Sequence, residues 1–216
     1  MNFGNLEANL RFLDATGLIV PTCRVLEIGT GSGALLHTLR ARGLDVVGVE
    51  RSDERVAESR ALYGELPIQQ VSGVELPFAD EAFDIVVSFD VFEHIPDSDR
   101  HLTEVRRVLR PRGWYLLQTP NKWTNTIFET IRWRSLTRWR ADHCSLHTFG
   151  QLKRRFSRHG FDVQFDDVAV VTDFYRAKVR RYLGPIGSAA LSVVNPDRWP
   201  QRMRTNFYVR AQKRLT

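Results

Sequence analysis

The sequence predicts an α/β fold, a doubly wound parallel sheet with helices on both faces, and three observations carry the prediction. The apolar run Val25, Leu26, Ile28 halts at Gly29, Gly31 and Gly33, and Ala34 to Leu39 resumes at helical spacing. Further on, short apolar runs alternate with amphipathic stretches of helical period, the pattern of parallel strands joined by helical crossovers. The run Phe83 to Phe89 is apolar almost throughout, as a central strand covered on both faces requires.

Taken in order, Leu6, Leu10, Leu13 and Leu18 mark an amphipathic helix over 5–18 that ends near Gly17. Arg24 to Ile28 is the first strand, and Gly33 to Arg42 is the helix after it, closed by Gly43. Asp45 to Glu50 is a second strand ending in an acid, and Asp53 opens a helix that runs out at Gly64. Ile68 to Val71 is a short third strand and Ala82 to Phe89 the fourth. Leu102, Val105, Val108 and Leu109 share one face of a helix over 98–109, which Pro111-Arg112-Gly113 terminates before a fifth strand, Trp114 to Thr119. Phe149 to Gly160 reads as a helix, Phe161 to Val171 as a strand, and Thr205 to Ala211 alternates like a final strand. Two stretches break the pattern. Over 122–140 Trp123, Phe128, Trp133 and Trp139 interleave with Arg132, Arg134, Arg138 and Arg140, and 175–194 is both basic and apolar.

The chain has 216 residues, enough to bury a sizeable core, and its 43% hydrophobic and 26% charged content excludes a disordered chain. Cys23 and Cys144 cannot build a disulfide framework, Met1 to Glu7 lacks a signal-peptide pattern, and no run approaches the ~18 apolar residues of a membrane span. A cytoplasmic location is therefore expected. Charge is polarised. Residues 1–121 hold 12 basic and 18 acidic side chains, whereas 122–216 hold 19 basic and 7 acidic. The C-terminal part is expected to face something anionic, such as a phosphorylated or lipid-linked substrate or a membrane surface, with nucleic acid less favoured; the alternative is an arginine-rich composition without a partner.

In a doubly wound sheet, ligands lie at the carboxyl ends of the strands near the switch in strand order. The glycine turn admits a nucleotide-like ligand against bare backbone, and Glu50 ends the second strand where a carboxylate accepts ribose hydroxyls. Both devices serve NAD as well as other nucleotides. The segments Val25 to Gly33, Leu76 to Val87, Val91 to Asp97, Leu102 to Trp114, Thr119 to Asn121, His147 to Leu152 and His159 to Phe161 together resemble class I S-adenosylmethionine-dependent methyltransferases. Within that class they look like the subgroup of the ubiquinone-biosynthesis O-methyltransferases and bacterial small-molecule methyltransferases, over roughly residues 20–170.

The resemblance implies a Rossmann-like, seven-stranded sheet, mostly parallel with an antiparallel last strand, in one domain over 1–216. It further implies an N-terminal helix within 1–20, a substrate lid over 122–147 inserted after the fifth strand, and a second insertion over 172–200. It implies S-adenosylmethionine as cofactor and S-adenosylhomocysteine as product. Gly29, Gly31 and Gly33 would approach the methionine moiety, Glu27 its ammonium, and Glu50 the ribose, with Arg51 flanking the adenine. Ser72 stands where an aspartate usually meets the adenine amino group, leaving a neutral acceptor, while the backbones of Gly73 and Val74 contact the ring. Phe89 and Asp90 border the sulfonium.

A hydroxyl acceptor must lose its proton as it attacks, so an imidazole suits the task. His94, after the fourth strand, is the first candidate base and His143 the second; either could instead only cap or anchor its loop. Asp90-x-x-Glu93-His94 resembles a divalent-ion arrangement of some relatives, but with Asp for the first Glu no metal is expected. Asp142-His143-Cys144-x-x-His147 lacks a second ligand pair for zinc. The leading expectation is O-methylation of a small-molecule or lipid-/sugar-linked acceptor. N- or C-methylation and a non-catalytic binding module are the competing ones. The stretch over 122–140 could grip an anionic group or bury its aromatic residues, and 187–194 could meet a membrane, a second copy, or the core. The oligomeric state is left open.

Overall fold

The computed structural model describes residues 5–71, 73–135, 137 and 143–215. Seven strands, β1 (Arg24–Ile28), β2 (Asp45–Glu50), β3 (Ile68–Gln70), β4 (Phe83–Phe89), β5 (Leu109–Pro120), β6 (Phe161–Asp166) and β7 (Asn206–Lys213), form one sheet. Their order is β3-β2-β1-β4-β5-β7-β6. The first five pair in parallel, and β7 runs antiparallel to both β5 and β6. The expected fold class, including its antiparallel last strand, is the one observed.

Alternation along the strands feeds two cores. Leu26, Val86, Tyr115 and Leu117 point to the face covered by α4 (Ser98–Val108) and α6 (Phe149–Arg158). Val25, Ile85, Val87 and Leu116 point to the face covered by α1 (Leu6–Thr16) and α2 (Ala34–Ala41). Each fully buried Leu or Phe contributes about 1.5–3 kcal/mol by leaving water. Helix starts follow from local chemistry. Asn5 caps α1, Ser52 caps α3 (Asp53–Tyr63), Asp97 caps α4, and Thr148 with Gln151 closes a capping box on α6.

Four boundaries differ from the sequence reading. The Pro111-Arg112-Gly113 turn does not precede β5 but lies inside it, as an irregularity where Phe83 pairs with Leu109 and Ile85 with Trp114. Arg112 takes a left-handed φ of 63° there, and a Cβ on Gly113 would sit 2.9 Å from two carbonyl oxygens. The strand β6 stops at Asp166 and not at Val171. Val168 and Val170 are nonetheless buried, because the Asp197 carboxylate accepts from the Val170 and Val171 amides and pins an irregular segment against the core. The first unpatterned stretch contains the helix α5 (Lys122–Trp133). The second becomes α7 (Asp173–Val193), broken at Gly184 (φ 63°, ψ −158°) just before Pro185. Trp139, Arg138, Arg140 and Asp142 lie outside the described residues. Among the described residues, no helix is long and apolar enough to cross a membrane.

Strand order switches between β1 and β4, and the loops after β1 to β5 converge there. A buried chain of hydrogen bonds braces this end. His101 Nδ1 donates to the Gly73 carbonyl (2.6 Å), Tyr115 OH donates to His101 Nε2 (2.9 Å), and Ser88 Oγ lies 2.7 Å from the Tyr115 oxygen. The ring is thus held neutral, and burial pushes its pKa down to about 4. Burial likewise lowers His147 to about 4. An unfolded chain protonates histidine near 6.5, so between that pH and about 4 the unfolded state binds more protons, and this contribution to stability is lost as pH falls. We expect His101→Gln to flatten the pH dependence of urea unfolding between pH 7 and 5 by about 1–2 kcal/mol relative to wild type. Identical slopes in the two proteins would refute the buried neutral imidazole.

Candidate active site

The loop after β1 turns on left-handed glycines: φ is 76° at Gly29, 53° at Gly31 and 81° at Gly33. Gly29 and Thr30 amides both donate to the Val49 carbonyl (2.8 and 3.2 Å), so the turn is tied to β2. Glu50 completes the tie: its Oε2 accepts from the Gly31 amide (2.8 Å) and its Oε1 from Ser52 (2.9 Å). The three glycines differ in what surrounds them. A Cβ on Gly29 would strike Val91, and one on Gly33 would strike Ser59 and Leu66. Gly31 alone of the three faces open space. Two glycines therefore serve close packing of the β4 loop and α3, and one presents bare backbone.

Glu27, in β1 just before this turn, is buried, and its Oε2 has no hydrogen-bond partner among the described residues. Burial first, then the Glu50 charge, raises its pKa well above the carboxylate range. Such a group fits a cationic ligand atom, which would restore its charge. Arg51 is exposed at the end of β2. Ser72 lies outside the described residues, whereas Gly73 and Val74 are half-buried and the Gly73 carbonyl is turned onto His101. At the end of β4, Phe89 packs its ring edge-on against Phe12 of α1, 6.2 Å between centroids. Asp90 follows with a left-handed φ of 54°, held by its amide donating to Gln118 Oε1 (2.9 Å). Gln118 Nε2 is a second buried atom left unpaired among the described residues.

The two candidate bases come together. The His94 and His143 rings lie 5.0 Å apart, on loops distant in sequence. Asn125 of α5 donates to His143 Nδ1 (3.0 Å), which leaves the ring proton on Nε2. Glu93 sits beneath them, buried, with Thr119 donating to its Oε2 (3.2 Å) and His94 Nε2 at 4.0 Å from its Oε1. Burial, reinforced by Asp90, raises the Glu93 pKa well above the usual carboxylate range. Ligand atoms of Glu93, His94 and His143 all lie within 4.8 Å of one another, so this set could hold a divalent ion. That differs from the motif weighed in the sequence. His143 replaces Asp90 in the cluster.

His147 does not join the cluster. Its Nδ1 donates to the Ser145 carbonyl (2.7 Å), and it anchors the segment that also binds Glu93 O through the Ser145 amide (2.9 Å). Of the apolar side chains at 122–140, Trp123 and Ile131 are exposed, so these two do not bury against the core, whereas Phe128 is half-buried. Four contributors were not singled out from sequence: His101, Tyr115, Gln118 and Asn125. His101 alone carried a signal, a histidine on the apolar face of α4 beside Leu102 and Val105.

Comparison with known proteins identifies the family. A family profile described as a methyltransferase domain matches residues 4–164. A probable S-adenosylmethionine-dependent methyltransferase of Mycolicibacterium smegmatis is 38% identical over 100 residues, covering 46% of this chain and 39% of that protein. The ubiquinone biosynthesis O-methyltransferase of Rhizobium etli is 34% identical over 125 residues, covering 56% and 48% respectively. The chain thus spans less than half the length of these curated relatives. The YcgJ protein of Bacillus subtilis shares the fold with a TM-score of 0.66 at 18% identity, over 97% of this chain and 98% of that one. With three quarters of its residues inside the family profile, and with the strand order and glycine turn described above, the chain belongs to the methyltransferase-domain family of class I S-adenosylmethionine-dependent methyltransferases.

Proposed function

We propose that the chain transfers a methyl group from S-adenosylmethionine to an oxygen of a small-molecule or lipid-/sugar-linked acceptor, with histidine-assisted deprotonation. The observation that carries this reading is the pair of imidazoles, His94 and His143, set side by side over the buried Glu93. The Rhizobium etli relative, a ubiquinone biosynthesis O-methyltransferase, supports the same choice of acceptor atom.

When bound, the cofactor supplies a methyl group made electrophilic by its sulfonium. The residues present fit it, since an unpaired buried carboxylate oxygen on Glu27 suits an ammonium and Gly31 leaves room for close backbone approach. Each Glu50 oxygen keeps a lone pair for a ribose hydroxyl after accepting one backbone amide. His94 takes the acceptor proton while Asn125 fixes the tautomer of His143. The half-buried loops align the acceptor, and alignment supplies most of the rate in an in-line displacement.

A second reading rests on the Glu93, His94 and His143 cluster: a divalent ion held there would acidify the hydroxyl directly. Chelation separates the two. Base catalysis persists in excess EDTA, whereas the ion-dependent route is lost and returns with added Mg²⁺ or Zn²⁺.

Two mutations test the assignment. Glu27→Gln removes a carboxylate whose charged form the native state disfavours near pH 7, so the ligand-free thermal midpoint is expected to rise. S-adenosylhomocysteine affinity by calorimetry should drop about 10–100-fold, the equivalent of a charge-assisted hydrogen bond of about 1.5–3 kcal/mol; unchanged affinity would remove Glu27 from the site. For His94→Ala, turnover of phenolic or sugar hydroxyl acceptors should fall by about 10²–10⁴ with S-adenosylhomocysteine affinity retained. Wild-type turnover in His94→Ala on an amine acceptor would instead indicate N-methylation. Tight binding of S-adenosylhomocysteine with no turnover across such a panel would mark a non-catalytic module.

A further inference from the structure

Among the described residues, the helices α5 and α7 leave apolar surface uncovered that the proposed methyl-transfer site does not use. On α5, Trp123, Ile127 and Ile131 recur every fourth residue and are 66%, 62% and 55% exposed, so one face of the helix is apolar and open. On α7, beyond the break at Gly184, Ile186 and Val193 are 84% and 85% exposed, with Ala190 between them on the same helical face. The helices pack together: the Phe128 and Tyr182 rings meet edge-on at 6.2 Å, and Arg132 lies over the Tyr182 ring. The first half of α7 adds Arg176, Lys178, Arg180 and Arg181, all exposed, against the single acid Asp173.

We infer that α5 and α7 form a docking surface for an anionic lipid bilayer, their apolar stripes entering the headgroup boundary and their cations meeting lipid phosphates. Charge complementarity selects this occupant. Isolated exposed apolar residues are ordinary, but stripes on two packed helices edged by cations are the composition of an interfacial helix, with tryptophan at the boundary. A second copy of the chain meeting this face about a two-fold axis would bring like charges together. Nucleic acid would use the cations and aromatic rings but leave the isoleucines and valine in water. The surface also adjoins the chemistry, because Asn125 on α5 touches His143. The inference does not depend on the acceptor or on the role of His94.

The test is co-sedimentation of the full chain with vesicles of phosphatidylcholine alone or mixed with phosphatidylglycerol. Wild type is expected to partition about tenfold or more in favour of the anionic vesicles, and the preference should weaken as salt is added. Ile127→Glu with Ile131→Glu, and separately Arg176→Glu with Arg180→Glu, should each reduce that binding by about tenfold. S-adenosylhomocysteine binding, unchanged in both, certifies the fold; Trp123→Ala is a milder variant if the paired glutamates disturb it. Failure to bind anionic vesicles overturns the proposal, as does equal binding to both vesicle types. Concentration-dependent dimerisation abolished by the Ile127/Ile131 variant, without vesicle binding, assigns the face to a second copy and overturns it. So does RNA binding that the arginine variant weakens and the isoleucine variant leaves intact.

Discussion

The whole site depends on a turn that non-glycine residues could not make without strain. After β1 the backbone must reverse direction within five residues, and it does so through three positive-φ positions. The hydrogen bonds from Gly29 and Thr30 to Val49, and from Gly31 to Glu50, then register β1 against β2 at their carboxyl ends. Because Gly29 admits Val91 and Gly33 admits Ser59, the same turn also fixes how closely the β4 loop and α3 approach. Packing thus accounts for two of the turn's glycines, and Gly31 is the one that faces open space.

Around this turn the protein keeps two carboxyl groups out of water. Glu27 and Glu93 are both buried, and burial is the main reason that each holds its proton more tightly than a free carboxyl. Burying such groups costs stability unless something compensates. The protein compensates them differently. Glu93 has Thr119 and the neighbouring imidazoles, while one Glu27 oxygen is left for a ligand. One acid is tied into a side-chain cluster, and the other has an oxygen with no hydrogen-bond partner among the described residues. The Gly73–His101–Tyr115–Ser88 chain, by contrast, pairs its buried polar groups with one another and stiffens this end of the sheet.

Much of this was legible in the amino-acid order. The period of apolar residues placed β1, β2, β4 and the helices between them, because burial on one or both faces dictates that period. Glycine spacing located the turn, and Glu50 marked the end of β2. Pattern could not tell which neighbours fill the space of a missing Cβ, here Val91 at Gly29 and Ser59 at Gly33. Nor could it reveal that Pro111-Arg112-Gly113 lies within a strand, since a bulge needs its partner, here Phe83 to Ile85, to be defined. Val168 and Val170 kept a strand's alternation while Asp197, almost thirty residues on, took their neighbouring amides. His94 and His143 were proposed separately, and their pairing is a product of tertiary structure alone. Asn125 and Gln118 are ordinary polar residues whose roles come only from where the chain puts them.

The placement of β7 has a consequence for how the protein comes into being. β7 lies between β5 and β6, and among the described residues it is the one strand that β6 pairs with. During synthesis the Phe161–Asp166 segment therefore emerges well before anything it can hydrogen-bond to as a strand. The five parallel strands can assemble first, but β5 then carries an open edge until Asn206–Lys213 leaves the ribosome. Closing that gap joins segments almost a hundred residues apart, Trp114 with Gln212, and such non-local pairing is slow. Until β7 pairs, the β5 edge stays open to non-native strand pairing, and β7 is the strand that closes it.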